Sequence, residues 1–443
     1  MPKRRNYGSG ILALLAGLLV TNIALAQFDF EREPISYNDA TPENPISRLQ
    51  RQLANGEQQL EYSPRDGYLP SLLELLEVPV ESQGLVFSKT SLQVRRITPR
   101  NPRAIYFNDD IYVGHVPGGD LVEISVADPH LGAVFYTLNQ RETAKPSLQR
   151  QTHQCTQCHV GSMTKNVPGH MVRSVYPGAD GRPELKHGSF ITTPASPLKE
   201  RWGGWYVTGT HGRDHHLGNT TIRSSESPNS IDRGRGANVT ELSSYLDTGR
   251  YLSPHSDLVA LMVLEHQTEM HNLITAAHFQ AIHTQTDALA MNRALEREDD
   301  FESDSTLRRL DNAAEKVVEG LLFVGEYRLK SPVLGTSDFT KTFASRGPQD
   351  DQGRSLRQFD LQTRMFKFPC SYLIYSEAFQ ALPSAVKSRV YARLGEILMN
   401  EEPRNSDSEE DKFAQLSQAD RRAIREILQV TLDDLPPDWP GAP

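Results

Sequence analysis

Two cysteines and a histidine form the pattern with the most specific chemistry in this sequence. Cys155 and Cys158 are separated by two residues, and His159 follows directly. This spacing is typical of covalent haem attachment, in which each thiol forms a thioether with one of the two vinyl groups of the porphyrin. The adjacent imidazole then lies under the iron. We therefore predict His159 as the proximal axial ligand.

A cysteine pair at this spacing also has other uses. A redox-active dithiol, a structural disulfide or half of a zinc site would need the same two thiols. A redox motif of the thioredoxin type is expected near a βαβ pattern, and a structural zinc site normally has a second ligand pair at regular spacing. The sequence shows neither pattern, so it favours haem.

The stretch from Cys155 to His159 resembles the C-x-x-C-H signature of c-type cytochromes. The resemblance covers Cys155, Cys158 and His159 only. It implies one covalent haem c, electron transfer as the activity and a redox partner protein. The rest of the chain looks similar to large secreted bacterial proteins that contain a single cytochrome c motif. The resemblance also implies export, since bacteria attach c-type haem after export.

The N-terminus has the pattern of a cleavable secretory signal. Lys3, Arg4 and Arg5 precede an apolar run at residues 11–26, which ends in Ala-Leu-Ala. We therefore predict a signal peptide over residues 1–26 and a periplasmic or secreted protein. No later stretch is long and apolar enough for a transmembrane helix, so we expect no membrane span after cleavage.

Composition narrows the possible partners. The chain has 443 residues and a formal net charge of -9, which argues against nucleic acid and anionic lipid as partners. The acidic balance suits solubility or a basic redox partner. Of the three cysteines, Cys370 remains outside the motif. Its apolar surroundings predict a buried, inert thiol.

The arrangement of patterns predicts an α+β fold. A small antiparallel β region is followed by a loop-rich haem-binding region and a mainly α-helical C-terminal half. The predicted segments are a signal peptide (1–26), an extended arm (27–64), a β-rich region (65–145), a haem-binding cytochrome c-like region (146–245), a helical domain (246–400), and an acidic linker with a short helix and tail (401–443).

Local patterns place individual elements within these segments. Short β-rich runs punctuated by turn residues predict strands at 85–87, 104–107, 111–116, 121–125 and 133–137. A 3.6-residue period predicts a helix over residues 258–279 that is apolar on one face. Further helices are predicted over 307–327 and 354–398, and a capping box of Ser417 and Asp420 predicts a last helix to residue 430.

A haem iron with one histidine ligand has a second axial position, and the sequence offers several candidates for it. His211 is our first choice, because the glycine-flanked run from Thr208 to Gly212 would let one imidazole project from a tight loop. A surface position remains the ordinary alternative for this histidine. Other candidates near the motif are Met163, Met171, His170, His187, His215 and His216.

The long predicted helix carries a second group of candidates. His266 lies on its apolar stripe, and Glu265 precedes it. A buried histidine beside a carboxylate serves as a haem ligand, as a catalytic acid or base, or as a hydrogen-bonded core residue. A second metal site that draws on Glu315 or Glu319 remains a further alternative.

We therefore expect an exported mono-haem c-type cytochrome that transfers electrons. Two alternatives stay open. One is a peroxidase-like haem enzyme with an open distal site, in which His266 and Glu265 are catalytic. The other is a haem-containing binding or sensory module.

The aromatic run Trp202-Gly-Gly-Trp205-Tyr206 would pack either on the porphyrin or in an ordinary core.

Overall fold

A computed structural model describes residues 29–400, 412–437 and 439 of the chain. The predicted signal peptide and most of the predicted acidic linker lie outside the described residues. The predicted α+β class is confirmed, since an antiparallel sheet occupies the N-terminal half and helices dominate the C-terminal half. None of the helices in the described ranges combines the length and apolarity needed to cross a bilayer.

The main sheet is a seven-stranded antiparallel meander. Its first six strands pair in chain order, and the last strand returns from a distant segment to pair with the first. All five predicted strands are confirmed, and β6 and β9 are additional. The strands are β1 (Gly84–Val86), β2 (Arg103–Phe107), β3 (Ile111–His115), β4 (Leu121–Asp128), β5 (Gly132–Asn139), β6 (Leu148–Arg150), β7 (Arg173–Val175), β8 (Ser189–Ile191) and β9 (Trp205–Tyr206). β7 and β8 form a separate two-stranded sheet.

Turn chemistry fixes the register of the meander. Between β2 and β3, the side-chain oxygen of Asn108 accepts hydrogen bonds from the backbone N–H groups of Asp110 and Ile111. Between β4 and β5, the carboxylate of Asp128 accepts from His130 N and Leu131 N. Asn and Asp favour such turns because their short side chains satisfy the backbone locally.

The helices begin before the sheet and continue after it. Those before or within the β-rich half are α1 (Pro45–Asn55), α2 (Leu69–Leu75), α3 (Thr156–His159) and α4 (Arg233–Gly236). Those of the C-terminal half are α5 (Leu258–Ala294), α6 (Asp304–Leu321), α7 (Phe339–Ala344), α8 (Glu377–Gln380), α9 (Ser384–Met399) and α10 (Gln418–Thr431). The predicted capping box at the start of α10 is confirmed, with Ser417 and Asp420 bonded reciprocally.

The predicted helix over residues 354–398 is only partly correct. Residues 354–371 are not helical, and α8 and α9 supply the helical structure of the remainder. Phe359 and Phe366 instead form an isolated antiparallel bridge, with their rings stacked at 5.2 Å. Pro369 follows, and proline disfavours helical backbone at the residue before it. Tertiary packing of aromatic rings therefore outweighs the helical pattern here.

Helix α5 is the central element of the fold. Its buried residues lie on all sides of the first two-thirds of the helix rather than on one stripe, which corrects the predicted single apolar face. One side packs on the sheet so closely that a Cβ atom at Gly84 of β1 would lie 2.9 Å from Leu261. Another side packs on α6, so α5 links the two halves of the molecule.

The start of α5 is anchored by one buried carboxylate. One oxygen of Asp257 accepts hydrogen bonds from Val259 N and Ala260 N. The other oxygen accepts from Thr336 N at 2.7 Å and from the backbone and hydroxyl of Ser337 at 2.8 and 2.9 Å. Asp257 therefore caps the helix and also holds the segment before α7.

We predict that Asp257→Ala destabilises the protein far more than loss of an ordinary helix cap. Alanine removes the acceptor for five donors, whereas Ser303→Ala at the start of α6 removes the single cap to Thr306 N. The free energy of unfolding in urea should fall by about 3 kcal/mol or more for Asp257→Ala and by about 1 kcal/mol for Ser303→Ala. Equal losses would contradict the double role of Asp257.

Candidate functional site

The cysteine–histidine motif forms one helical turn after strand β6. Cys155 lies at the start of α3, and its carbonyl accepts hydrogen bonds from Cys158 N at 3.1 Å and His159 N at 2.9 Å. Both cysteines have free thiols, and Cys158 is exposed. The turn therefore presents the two sulfur atoms and the imidazole within a single loop of backbone.

The imidazole of His159 is oriented by a backbone carbonyl. Its Nδ1 atom lies 2.9 Å from the oxygen of Gly169, so Nδ1 carries the hydrogen and donates it. The ring of Phe135 on β5 packs against it with the ring centroids 4.9 Å apart. Nε2 is left with its lone pair and makes no hydrogen bond to any described residue. A carbonyl partner on one ring nitrogen is the usual way in which proteins fix a metal-binding histidine.

The loop after the motif is held in place by helix α5. The amide of Asn272 brackets His170, accepting from its N–H at 2.9 Å and donating to its carbonyl at 2.7 Å. Glu269, one turn earlier, forms an ion pair with Lys165 at 2.8 Å. A Cβ atom at Gly169 would lie 2.2 Å from the oxygen of Asn272, so a residue with a side chain would displace this contact. The position of the Gly169 carbonyl, and thus of His159, depends on α5.

The protonation of the motif differs from that of a reactive dithiol. Burial, with smaller contributions from Glu123 and Cys158, raises the pKa of the Cys155 thiol to about 11. Reactive cysteines in C-x-x-C redox sites have lowered pKa values instead. Burial also lowers the pKa of His159, partly offset by the Gly169 carbonyl, so the imidazole is neutral at pH 7. A neutral imidazole is the form that binds a metal.

Behind the motif lies a buried group of polar rings whose hydrogen bonds have a definite direction. The side-chain oxygen of Gln267 accepts from the Tyr372 hydroxyl at 2.7 Å, so its nitrogen donates to the Tyr112 oxygen at 3.0 Å. Tyr112 must then donate its own hydrogen to Nδ1 of His271 at 3.0 Å. This assigns the remaining ring hydrogen to Nε2 of His271, an atom with no partner among the described residues.

His170 extends this group toward the motif. It is buried, neither ring nitrogen has a hydrogen-bond partner, and its ring lies 4.4 Å from Tyr112 and 5.8 Å from His271. Burial lowers its pKa, and His271 and His159 lower it further. His170 directly follows the carbonyl that binds Nδ1 of His159. His170 is therefore a buried imidazole without hydrogen-bond partners, next in the chain to the residue that orients His159.

The structure does not bring His211 to the motif. The neighbouring Thr208 pairs with Asp257 at the start of α5, whereas the motif loop contacts Asn272. Fourteen helical residues separate positions 258 and 272, which corresponds to about 21 Å along the axis. His211 is buried against Asn238, and its ring lies 4.9 Å from His216. The His211 loop lies at the N-terminal end of α5, whereas the motif loop contacts the middle of this helix, which removes the geometric reason for our first choice of second axial ligand.

Glu265 and His266 also serve different parts of the fold. Nε2 of His266 is hydrogen-bonded to the Ser371 hydroxyl at 2.7 Å, and the ring stacks on Phe323 at 4.2 Å. Glu265 forms an ion pair with Arg201 at 2.9 Å on another side of the helix. Neither residue makes a hydrogen bond, ion pair or ring contact with the motif in the described ranges. The structure therefore does not bring the predicted catalytic pair to the cysteine–histidine motif.

The other candidates have structural partners as well. Glu315 and Glu319, considered for a second metal site, bind Arg393, Lys316 and Lys412. Trp202 and Trp205 are buried in the core, and Trp205 belongs to the edge strand of the sheet. Cys370 is fully buried, as predicted, and burial raises its thiol pKa to about 12. Across the described residues, no three or more His, Cys, Asp or Glu side chains are grouped to hold a metal ion.

Comparison with protein-family models, with curated proteins and with solved structures gave no match to this chain. The candidate site is therefore argued from its own geometry. The motif itself was predictable from the sequence. The roles of Gly169, Asn272 and Tyr112 were not, because they depend on contacts between segments that are distant in the chain.

The residues at the motif fit a covalent haem. Two unpaired thiols and a neutral imidazole lie in one helical turn. The Nε2 atom of the imidazole is free, and its Nδ1 atom is fixed by the Gly169 carbonyl. A haem iron takes only one or two protein ligands, so the lack of a three-residue metal group among the described residues does not bear on it. When bound, the group would supply one-electron redox chemistry, with His159 as its protein ligand.

We predict that His266 makes the protein less stable in acid. Burial lowers its pKa to about 3, so the folded protein keeps it neutral while the unfolded chain protonates it near pH 6.5. The folded state therefore binds fewer protons, and stability falls as the pH falls below 6.5. Between pH 6.5 and 5, wild type should lose about 1.6 kcal/mol in total relative to His266→Gln, since the slope approaches about 1.4 kcal/mol per pH unit only below pH 6.5.

Urea unfolding of both proteins across this pH range measures the difference. The buried Glu265, whose pKa burial raises to about 7, acts with the opposite sign but is present in both proteins. A constant difference between wild type and His266→Gln would show that this histidine is not kept neutral by burial.

Proposed function

We propose that this protein is an exported mono-haem c-type cytochrome that transfers electrons. The observation that carries the proposal is the orientation of His159, whose Nδ1 is fixed by the Gly169 carbonyl beside two free thiols. This arrangement leaves Nε2 available for iron and keeps Cys155 and Cys158 unpaired for two thioether bonds. The N-terminal signal pattern supports export and therefore a periplasmic or secreted location.

The surroundings of the motif support electron transfer rather than bond-forming catalysis. The nearby rings are closely packed, and the potential acid–base pair Glu265 and His266 is engaged elsewhere. For a carrier, the protein sets the redox potential through the axial ligand, its hydrogen bonds and burial. The Gly169 carbonyl acts on His159 in this way, since accepting the Nδ1 hydrogen raises the basicity of the imidazole. A redox partner protein would be the physiological donor or acceptor.

A haem enzyme or sensor with an open coordination site is the second candidate. The observation that favours it concerns His159, whose Nε2 atom would bind the iron. No other imidazole ring of the described residues makes a ring contact with His159, which packs on Phe135. A five-coordinate iron would accept a small exogenous ligand, whereas two strong protein ligands would exclude it. Carbon monoxide binding to the reduced protein separates the two candidates.

We predict that covalent haem depends on both motif cysteines and not on Cys370. The test is co-expression of the exported chain with a c-type haem attachment system, followed by haem staining of a denaturing gel. Wild type and Cys370→Ala should carry haem that survives denaturation, whereas Cys155→Ala/Cys158→Ala should carry none, because no thioether can form. Zinc without haem in purified wild type, or equal haem in the double variant, would contradict the proposal.

We also predict that His211 is not an iron ligand. Because its loop lies at the N-terminal end of α5 and the motif contacts Asn272 further along the helix, His211→Leu should leave the optical and electron paramagnetic resonance spectra of the haem-loaded protein unchanged in both oxidation states. The rate of carbon monoxide binding should likewise equal that of wild type. A change to a high-spin spectrum in this variant would restore His211 as the second axial ligand. Rapid binding in wild type itself would favour the open-site candidate.

A further inference from the structure

A cavity of about 620 Å3 opens at the surface near the N-terminal part of α5. Its walls come from four separate segments, which include Lys199, Asp214, Arg233 and Lys330. Tyr327 forms part of the lining, and its backbone N–H donates to the Pro194 carbonyl at 2.8 Å. Its volume is within the range of small-molecule sites, roughly 300–1,000 Å3.

The acidic side chains of this cavity are already satisfied. Asp214 accepts from the Tyr327 hydroxyl at 2.9 Å and from the ammonium of Lys330 at 3.4 Å. Asp232 accepts from the backbone N–H of Arg235 at 3.2 Å and so caps helix α4. Asp214 is therefore paired with Lys330, and Asp232 serves as the cap of α4.

Two basic side chains of the cavity are not compensated. Lys199 and Arg233 line it from different segments, and neither forms an ion pair with any described carboxylate. Two unpaired cations on opposite segments of one cavity create a local positive potential that attracts an anion.

The remaining walls indicate what the anion is attached to. Pro197, Pro228 and Ile231 contribute apolar surface, and Tyr327 adds an aromatic ring. The guanidinium of arginine has a planar fork that matches the oxygens of a carboxylate or phosphate. We propose that this cavity binds a small organic molecule with a carboxylate or phosphate group, which Arg233 and Lys199 hold while its apolar part contacts Ile231 and the prolines.

This site does not depend on the haem proposal, because none of its lining residues belongs to the motif. The test is calorimetric titration of the full exported chain with four probes, namely phenyl phosphate, benzoate, inorganic phosphate and neutral benzamide. An aromatic anion should bind at least tenfold more tightly than benzamide, and its affinity should fall as salt rises. Preference for phenyl phosphate over benzoate, or the reverse, identifies the oxyanion. Tighter binding of the aromatic anion than of inorganic phosphate shows the contribution of the apolar walls.

A matched pair of arginine variants tests the residues. Arg233→Gln should weaken binding of the preferred aromatic anion about tenfold or more, as expected for loss of a charge-assisted contact. Arg235→Gln, in the same helix but outside the lining, should bind as wild type, and thermal unfolding checks that both variants are folded. The proposal is overturned if no anion binds wild type, if benzamide binds equally well, or if the two variants weaken binding equally.

Discussion

The buried ion pair between Arg201 and Glu265 holds the central helix to the loop-rich region of the chain. Both side chains are almost fully shielded from solvent, at 4% and 0% exposure. Arg201 also donates to the carbonyls of Pro194 and Ser196 at 2.8 Å each. Removing one partner of such a pair leaves an unpaired buried charge, which costs about 3–5 kcal/mol. The Arg201 guanidinium therefore holds segment 194–205 to the N-terminal part of α5, in addition to the apolar packing of Trp202 and Leu198.

Other buried polar side chains of α5 and its N-cap also fix neighbouring segments of the structure. Polar residues point from this buried helix in different directions, and each meets a different part of the structure. Asp257 holds the segment before α7, Gln267 the sheet, and Asn272 the loop of the motif. A helix that was only apolar would pack against all these partners but would not fix their register, since apolar contacts are not directional. The orientation of His159 is one result of this arrangement.

The sequence predicted those parts of the fold that local patterns determine. The strands from β1 to β5, the start of α5 and the capping box of α10 all follow from alternation, periodicity or capping chemistry within a few residues. Strand β9 was missed because two residues carry no strand signal of their own, and its existence depends on pairing with β1. The helix predicted through Phe366 is wrong there because aromatic packing determines that backbone.

For the candidate site, the cysteine–histidine motif was visible in the sequence, but its surroundings were not. A glycine-flanked histidine such as His211 matches the local expectation for a projecting ligand, yet its place in the fold is set by Thr208 and the start of α5. Gly169 has no recognisable signal, although its carbonyl orients His159. Local spacing identifies which atoms react together, whereas hydrogen bonds between distant segments decide how those atoms are oriented.

The pairing of the first and last strands of the main sheet has a consequence for the order of assembly. Leu85 of β1 pairs with Tyr206 of β9, which closes a loop of about 120 residues, and contacts of such sequence separation are slow to form. Cys155 and Cys158 lie inside this loop. A chain that emerges with its N-terminus first therefore presents both thiols before the closing strand is available. The motif follows β6, at the opposite edge of the sheet from β9, so completion of the sheet does not cover Cys158, which stays exposed in the folded protein.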